Sequence, residues 1–189
     1  MTHTHAPSPV LLALIVYVPM MLSGYWAAAP GVLRGTPMET LLPGMLAATL
    51  AGWAILRFSR WATARTGWGQ AMAREFRQVL GGLGSGQILA LALLSAVGEE
   101  VLFRGVLHPR LGLVPTALLF ALLHFPYRRA MLPWTLFALA FGLLAGALTN
   151  WAGSLWPAIW AHFLVNYFNL HHLAEAPQDT QGEDDVADL

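Results

Sequence analysis

The sequence predicts an all-α polytopic membrane protein, a transmembrane helix bundle of about six spans. Two observations carry this expectation. Of 189 residues, 57% are hydrophobic and only 11% are charged, against roughly 25% charged residues in an ordinary soluble domain. Eight Trp and nine Phe, with a mean hydropathy of +0.56, leave more apolar surface than one core of this size can hide, so the remainder faces lipid. The second observation is distribution: apolar runs of helical length recur along the chain, separated by short stretches rich in Arg, Gly and Pro.

Taken in order, the run Val10 to Ala29 has about the ~20 residues that cross a hydrocarbon core. It lacks the basic n-region of a secretory signal peptide and exceeds the usual ~7 to 15 residue h-region, so it reads as structure and not as a cleaved leader. Pro19 inside it removes one helical hydrogen bond, which membrane helices tolerate. A second span runs from about Leu41 to Phe58. The polar, Trp-containing stretch from Arg57 to Gly86 carries Trp61, Trp68, Met72, Phe76, Val79 and Leu80 at amphipathic spacing beside Arg60, Arg65, Arg74 and Arg77, the pattern of a helix lying among headgroups. The glycine run Gly81, Gly82, Gly84 and Gly86 lacks the Lys of a phosphate loop and reads as a joint.

The third span starts near Gln87 and ends around Pro109. A short fourth runs from about Val114 to Phe125, a fifth from Met131 to Thr149 and a sixth from Leu155 to about Leu170. The chain thus divides into N-terminal spans with the Arg-rich segment (1–86), a core (87–173) and an acidic, apolar-poor tail (174–189) with the composition of a disordered segment. Six spans put Arg57, Arg60, Arg65, Arg74, Arg77, Arg128 and Arg129 on one side and Arg34 and Arg110 on the other. That asymmetry orients the first side, with both termini, to the cytoplasm. All ten basic residues are Arg, balanced by ten acids, and they are not massed on one helix, which argues against a nucleic-acid partner. The chain has no Cys, which removes thiol nucleophiles and cysteine-rich zinc sites. Arg in place of Lys, with abundant Ala, Leu, Gly and Pro, fits a GC-rich bacterial genome and a prokaryotic cell membrane.

Charged groups at membrane depth cost at least ~2.5 to 3.5 kcal/mol each, so the acids of the third span need a reason to be there. Glu100 and Arg104 are four apart and share a helical face, where they can pair. Glu99 is rotated by about 100° and has no partner in its own helix, which makes it a candidate general base. His124 ends the fourth span, and His162 and Asn166, again four apart, share a face of the sixth. His3, His5, His108, His171 and His172 sit at or beyond helix ends and read as ordinary solvated or interfacial residues. A Glu, two His and an Asn around one cavity can hold and deprotonate a water and hydrogen-bond an oxyanion. The same buried groups would also serve a proton path in a transporter or scaffold, which is the alternative reading.

These residues resemble the CAAX prenyl protease and bacteriocin-processing family, also called CPBP or Abi, of intramembrane proteases. The resemblance rests on three motifs in order: Glu99-Glu100-Val-Leu-Phe-Arg104, Phe120-Ala-Leu-Leu-His124 and His162-Phe-Leu-Val-Asn166. It implies that Glu99 and His124 activate water, that His162 and Asn166 stabilise the oxyanion, and that Glu100 with Arg104 holds the site in register. It implies a membrane-associated or lipidated peptide or protein as substrate, and membrane lipid as the other partner. Family members are described both as glutamate-type and as metalloproteases. No cofactor is favoured here, although Glu99, His124 and His162 could serve as three zinc ligands.

Overall fold

The computed structural model describes residues 8–28, 37–80, 82–125 and 128–175, and among them there is no strand. His3, His5, Arg34 and the acidic tail from Asp179 lie outside the described residues. Helix α1 (Pro9–Ala27) starts with Ser8 accepting the Leu11 N–H, and α2 spans Met38–Arg65. After α3 (Gly67–Leu80) come α4 (Ser85–Glu100), a π-helical segment (Val101–Leu107) and α5 (His108–Leu111), which together form one continuous rod. The bundle closes with α6 (Leu113–Leu123), α7 (Leu132–Ala152) and α8 (Trp156–Glu175). Gly112 (φ +85°) and Gly153 (φ +61°) make the tight turns into α6 and out of α7, conformations that disfavour a Cβ.

A helix stands at each expected span. Four of them, α1, α2, the rod Ser85–Leu111 and Arg129–Ala152, are long and apolar enough to cross a membrane. Helix α6 is apolar but has 11 residues, about 16 Å at the standard rise, half a hydrocarbon core. Helix α8 has the length, but its His and Asn residues dilute its apolar character. One boundary differs from expectation. Helix α2 runs on through Arg65, so Trp61 belongs to its last turns, and the amphipathic helix begins only at Gly67. The expected glycine joint is a built helix start: Gln87 reaches back to accept the Gly84 N–H at 3.0 Å, so α4 begins two residues earlier than its apolar pattern suggests.

Helices α4 and α8 form the centre. Helix α4 packs between α1 and α8, while α8 also meets α2 and α7, and α6 lies along α7. Contacts are made by small residues: Ala48, Ala92, Ala145, Ala158 and Ala161 are wholly buried, as expected where helices associate by close approach and not by water exclusion. Leu11, Leu12, Leu14, Ile15, Leu42, Leu46 and Leu50 point outward. This inverted pattern, with small residues inside and large apolar ones outside, marks a membrane protein.

Helix α3 covers one end of the bundle, against α2, α7 and α8. Its Glu75 pairs with Arg128, and Phe76 packs edge-on against Trp134 at 5.3 Å between ring centres. The corner between α2 and α3 depends on Gly69, where a Cβ would fall inside contact distance of the Ala62 carbonyl. Backbone cannot yield there, so Gly69→Ala should cost about 1–3 kcal/mol and loosen α3, which limited proteolysis and detergent unfolding would register.

Candidate active site

Three elements bring the sequence motifs together. The first contribution comes from antiparallel α4 and α8. Ser95 and Asn166 form one rung, with Asn166 Nδ2 donating to Ser95 Oγ at 2.9 Å. One helical turn further, Glu99 Oε2 faces His162 Nε2 at 3.9 Å, and Glu100 Oε1 accepts from His162 Nδ1 at 2.8 Å. The four-residue spacings on the two helices therefore match each other in register.

The second contribution is His124, the residue that caps α6. Its Nδ1 lies 2.7 Å from the Phe120 carbonyl. A carbonyl only accepts, so Nδ1 carries the proton, and in the neutral ring Nε2 presents its lone pair. Nε2 stands 3.8 Å from Glu99 Oε2. Helix α7 fixes the ring from the other side, with Thr135 Oγ1 donating to the His124 carbonyl at 2.8 Å and Trp134 packing edge-on at 5.0 Å.

The third contribution is the support beneath. Glu100 is fully buried, and Arg104 is 1% exposed. Arg104 donates from Nη1 to Glu100 Oε1 and from Nη2 to the Gly142 carbonyl, both at 3.0 Å. Its guanidinium also lies 4.7 Å from the centre of the Phe120 ring, a cation–π contact. Phe120 thus joins the guanidinium to the imidazole of His124, 4.4 Å away. Arg104 sits in the π-helical segment, a rare geometry found often at functional sites.

A cavity of about 40 Å³, lined by His124, His162, Asn166, Trp134 and Phe141 among others, opens beside this cluster. One water needs about 10–15 Å³. Glu99 Oε2 is buried without a hydrogen-bond partner, and its distances to both imidazoles are too long for direct bonds but suit a bridging water. At ~1.5 Å per residue, Glu99 lies about 21 Å along α4 from Ser85 and His162 about 20 Å from the C-terminal end of α8, well inside the length of a ~30 Å hydrocarbon core.

The donor types also suit zinc: one carboxylate and two imidazoles, each imidazole tied back through Nδ1 as ligating histidines commonly are. The separations of 3.8 and 3.9 Å exceed the ~3.3 Å of a closed tetrahedral shell, and among the described residues no three side chains stand at metal-binding spacing. If zinc is held, Glu99, His124 and His162 would hold it, and it would make a bound water more acidic.

Two residues of the cluster carry no motif. Ser95 had a signal, since it stands four before Glu99 on the same face. Tyr17 had none: from α1 it donates its hydroxyl to Glu99 Oε1 at 2.9 Å, so Glu99, partnerless in its own helix, has a partner 82 residues away.

Fold and site together define a polytopic helical membrane protein built around a buried carboxylate–imidazole centre. Residues 83–168 match the family model described as type II CAAX prenyl endopeptidase Rce1-like, and all three motifs lie inside this segment. The chain is also similar to the uncharacterized protein YpbD of Bacillus subtilis (strain 168), at 42% identity over 81 residues, covering 42% of this chain and 41% of YpbD. It therefore spans less than half of that relative's length. No solved structure matches the chain.

Proposed function

We propose that this protein is an intramembrane endopeptidase of the CAAX type, hydrolysing a peptide bond of a lipidated or otherwise membrane-associated protein or peptide. The observation that carries the reading is the approach of Glu99 Oε2 to both His124 Nε2 and His162 Nε2, at 3.8 and 3.9 Å, beside a cavity with room for water. A water there gives one hydrogen bond to Glu99 Oε2 and one to His124 Nε2. Its oxygen attacks the scissile carbonyl carbon while its proton passes to the Glu99–His124 pair. Asn166 has one amide N–H on Ser95 and a second free for the oxyanion. His162 donates through Nε2 as the imidazolium, whose counter-charge is the Glu100 carboxylate on Nδ1. Collapse of the intermediate breaks the C–N bond, and the stored proton leaves with the amine.

The deciding experiment is a mass-spectrometric comparison of membrane-protein termini in cells lacking the gene and complemented with either the native chain or Glu99→Gln. Precursors that persist only with the variant establish the protease and name its substrate; identical termini overturn the reading. Cleavage by purified protein before and after chelation assigns the subtype. Activity that survives metal removal supports the glutamate type, and activity restored by added zinc supports the metal-dependent one.

A graded prediction follows for the oxyanion side. Asn166→Ala should slow turnover about 10²-fold. Ser95→Ala, which leaves Asn166 present but untethered, should cost only about tenfold, with insertion and unfolding midpoint unchanged. Equal losses in the two variants, read as kcat on a prenylated peptide, would contradict the assignment of Ser95 as the tether.

A further inference from the structure

The two carboxylate oxygens of Glu99 have different surroundings. Oε1 accepts the Tyr17 hydroxyl at 2.9 Å, while Oε2, buried and without a hydrogen bond, faces His124 and His162. The terminal torsion of a glutamate is broad, so the side chain itself does not fix the plane of the carboxylate. The hydrogen bond from Tyr17 to one oxygen fixes that plane and turns the other oxygen toward the two imidazoles.

The contact is built into the way α1 seats on α4. At Gly98, next to Glu99, a Cβ would stand 3.1 Å from both Cβ and Cδ1 of Tyr17, so the glycine sets the approach that brings the hydroxyl within reach. At Gly24 a Cβ would stand 2.6 Å from Val101 Cγ1. At the end of α1, Arg110 Nη2 donates to the Ala27 carbonyl at 2.9 Å. Three levels of α1, at Tyr17, Gly24 and Ala27, are thus docked on one rod, although the outward face of α1 is the most exposed apolar surface of the bundle.

We propose that Tyr17 is a positioning residue of the hydrolytic reaction, holding Glu99 Oε1 so that Oε2 is presented to the water between His124 and His162. This rests on the protease reading, and it makes α1, which lies outside the family-matched segment, part of the site. The reaction centre is complete only when α1 is seated.

The test uses the purified full chain and a fluorescence-quenched peptide whose prenylated cysteine is followed by three residues. Tyr17→Phe keeps the ring and its packing and removes only the hydroxyl. It should lower kcat about 10- to 100-fold, the scale of a misplaced reacting group, with KM changed by less than about twofold. Infrared difference spectra provide a second readout that needs no turnover. The carboxylate band of Glu99, identified by its loss in Glu99→Gln, should shift in Tyr17→Phe. Gly98→Ala, which retains the hydroxyl but pushes Tyr17 away, should reproduce the shift. An unmoved band, or a shifted band with kcat unchanged, overturns the proposal. Equal rates for the native chain and Glu99→Gln overturn the protease reading instead and leave Tyr17 no reaction to serve; the infrared readout tells that failure apart from failure of the contact itself.

Discussion

Glu99→Gln is expected to leave a folded, inserted protein whose cleavage rate falls about 10³-fold, within the range for loss of a general base. The fold should survive because glutamine reproduces the contacts glutamate makes. Its carbonyl oxygen can still accept the Tyr17 hydroxyl now held at 2.9 Å. Its amide would occupy the place of Oε2, which has no hydrogen-bond partner to lose, and would point N–H groups toward imidazole nitrogens 3.8 and 3.9 Å away. The change therefore removes a proton acceptor at nearly constant shape and polarity. Turnover of the prenylated peptide, read beside circular dichroism and a detergent unfolding curve, checks both halves. Full cleavage by Glu99→Gln would rule out the mechanism, whereas a variant that fails to insert would show that the carboxylate is structural.

The protein's site is legible in its sequence to the extent that it is written in helical periodicity. Glu100 with Arg104, Phe120 with His124, and His162 with Asn166 are each four residues apart, and four-residue spacing puts side chains on one face whatever the surrounding tertiary structure. The structure brings all of them into one cluster. Ser95 obeys the same rule relative to Glu99, but a serine in an apolar helix commonly bonds its own backbone, and Ser95 does so as well, donating to the Leu91 carbonyl at 2.8 Å. Its second role, accepting from Asn166, depends on the register between α4 and α8, which no local pattern encodes. Tyr17 is further out of reach, because an aromatic residue in a first span looks like packing or an interfacial anchor until the helix across from it is known.

The limits of helices follow the same division. Interiors of apolar segments were readable because composition alone makes them membrane helices. The boundary between α2 and α3 was not, since Trp61, Trp68 and Phe76 continue one amphipathic spacing through a corner set by Thr66 and Gly69. At that corner Thr66 Oγ1 donates to the Ala62 carbonyl at 2.7 Å and accepts the Gly69 N–H at 3.1 Å. The corner turns α3 so that Phe76 meets Trp134, which packs on His124. A surface helix thereby reaches the wall of the cavity through two aromatic rings, a connection with no counterpart in linear spacing.

Arg104→Met should be the most destabilising single change in the core, by about 3–5 kcal/mol. It strips a fully buried carboxylate of its counter-charge. Glu100 would keep only the bond from His162, on the same oxygen that Arg104 now holds at 3.0 Å, while its other oxygen already lacks a partner. Glu100 is wholly buried, so bulk water does not compensate. The double variant Glu100→Gln with Arg104→Met separates charge from packing. Two neutral side chains of similar volume remove the uncompensated ion, and such replacements are often neutral for stability, so most of the loss should return. Activity should not return, because His162 would still lack the carboxylate that supports its imidazolium, a deficit of about 10²-fold. Unfolding midpoints and kcat of the two variants, measured side by side, decide the matter. A double variant as unstable as the single one would mean that Arg104 acts mainly through the Gly142 carbonyl and the Phe120 ring. One that recovered both stability and turnover would show that neither charge is needed, and that Glu99, His124 and Asn166 carry out the reaction without an ionised His162.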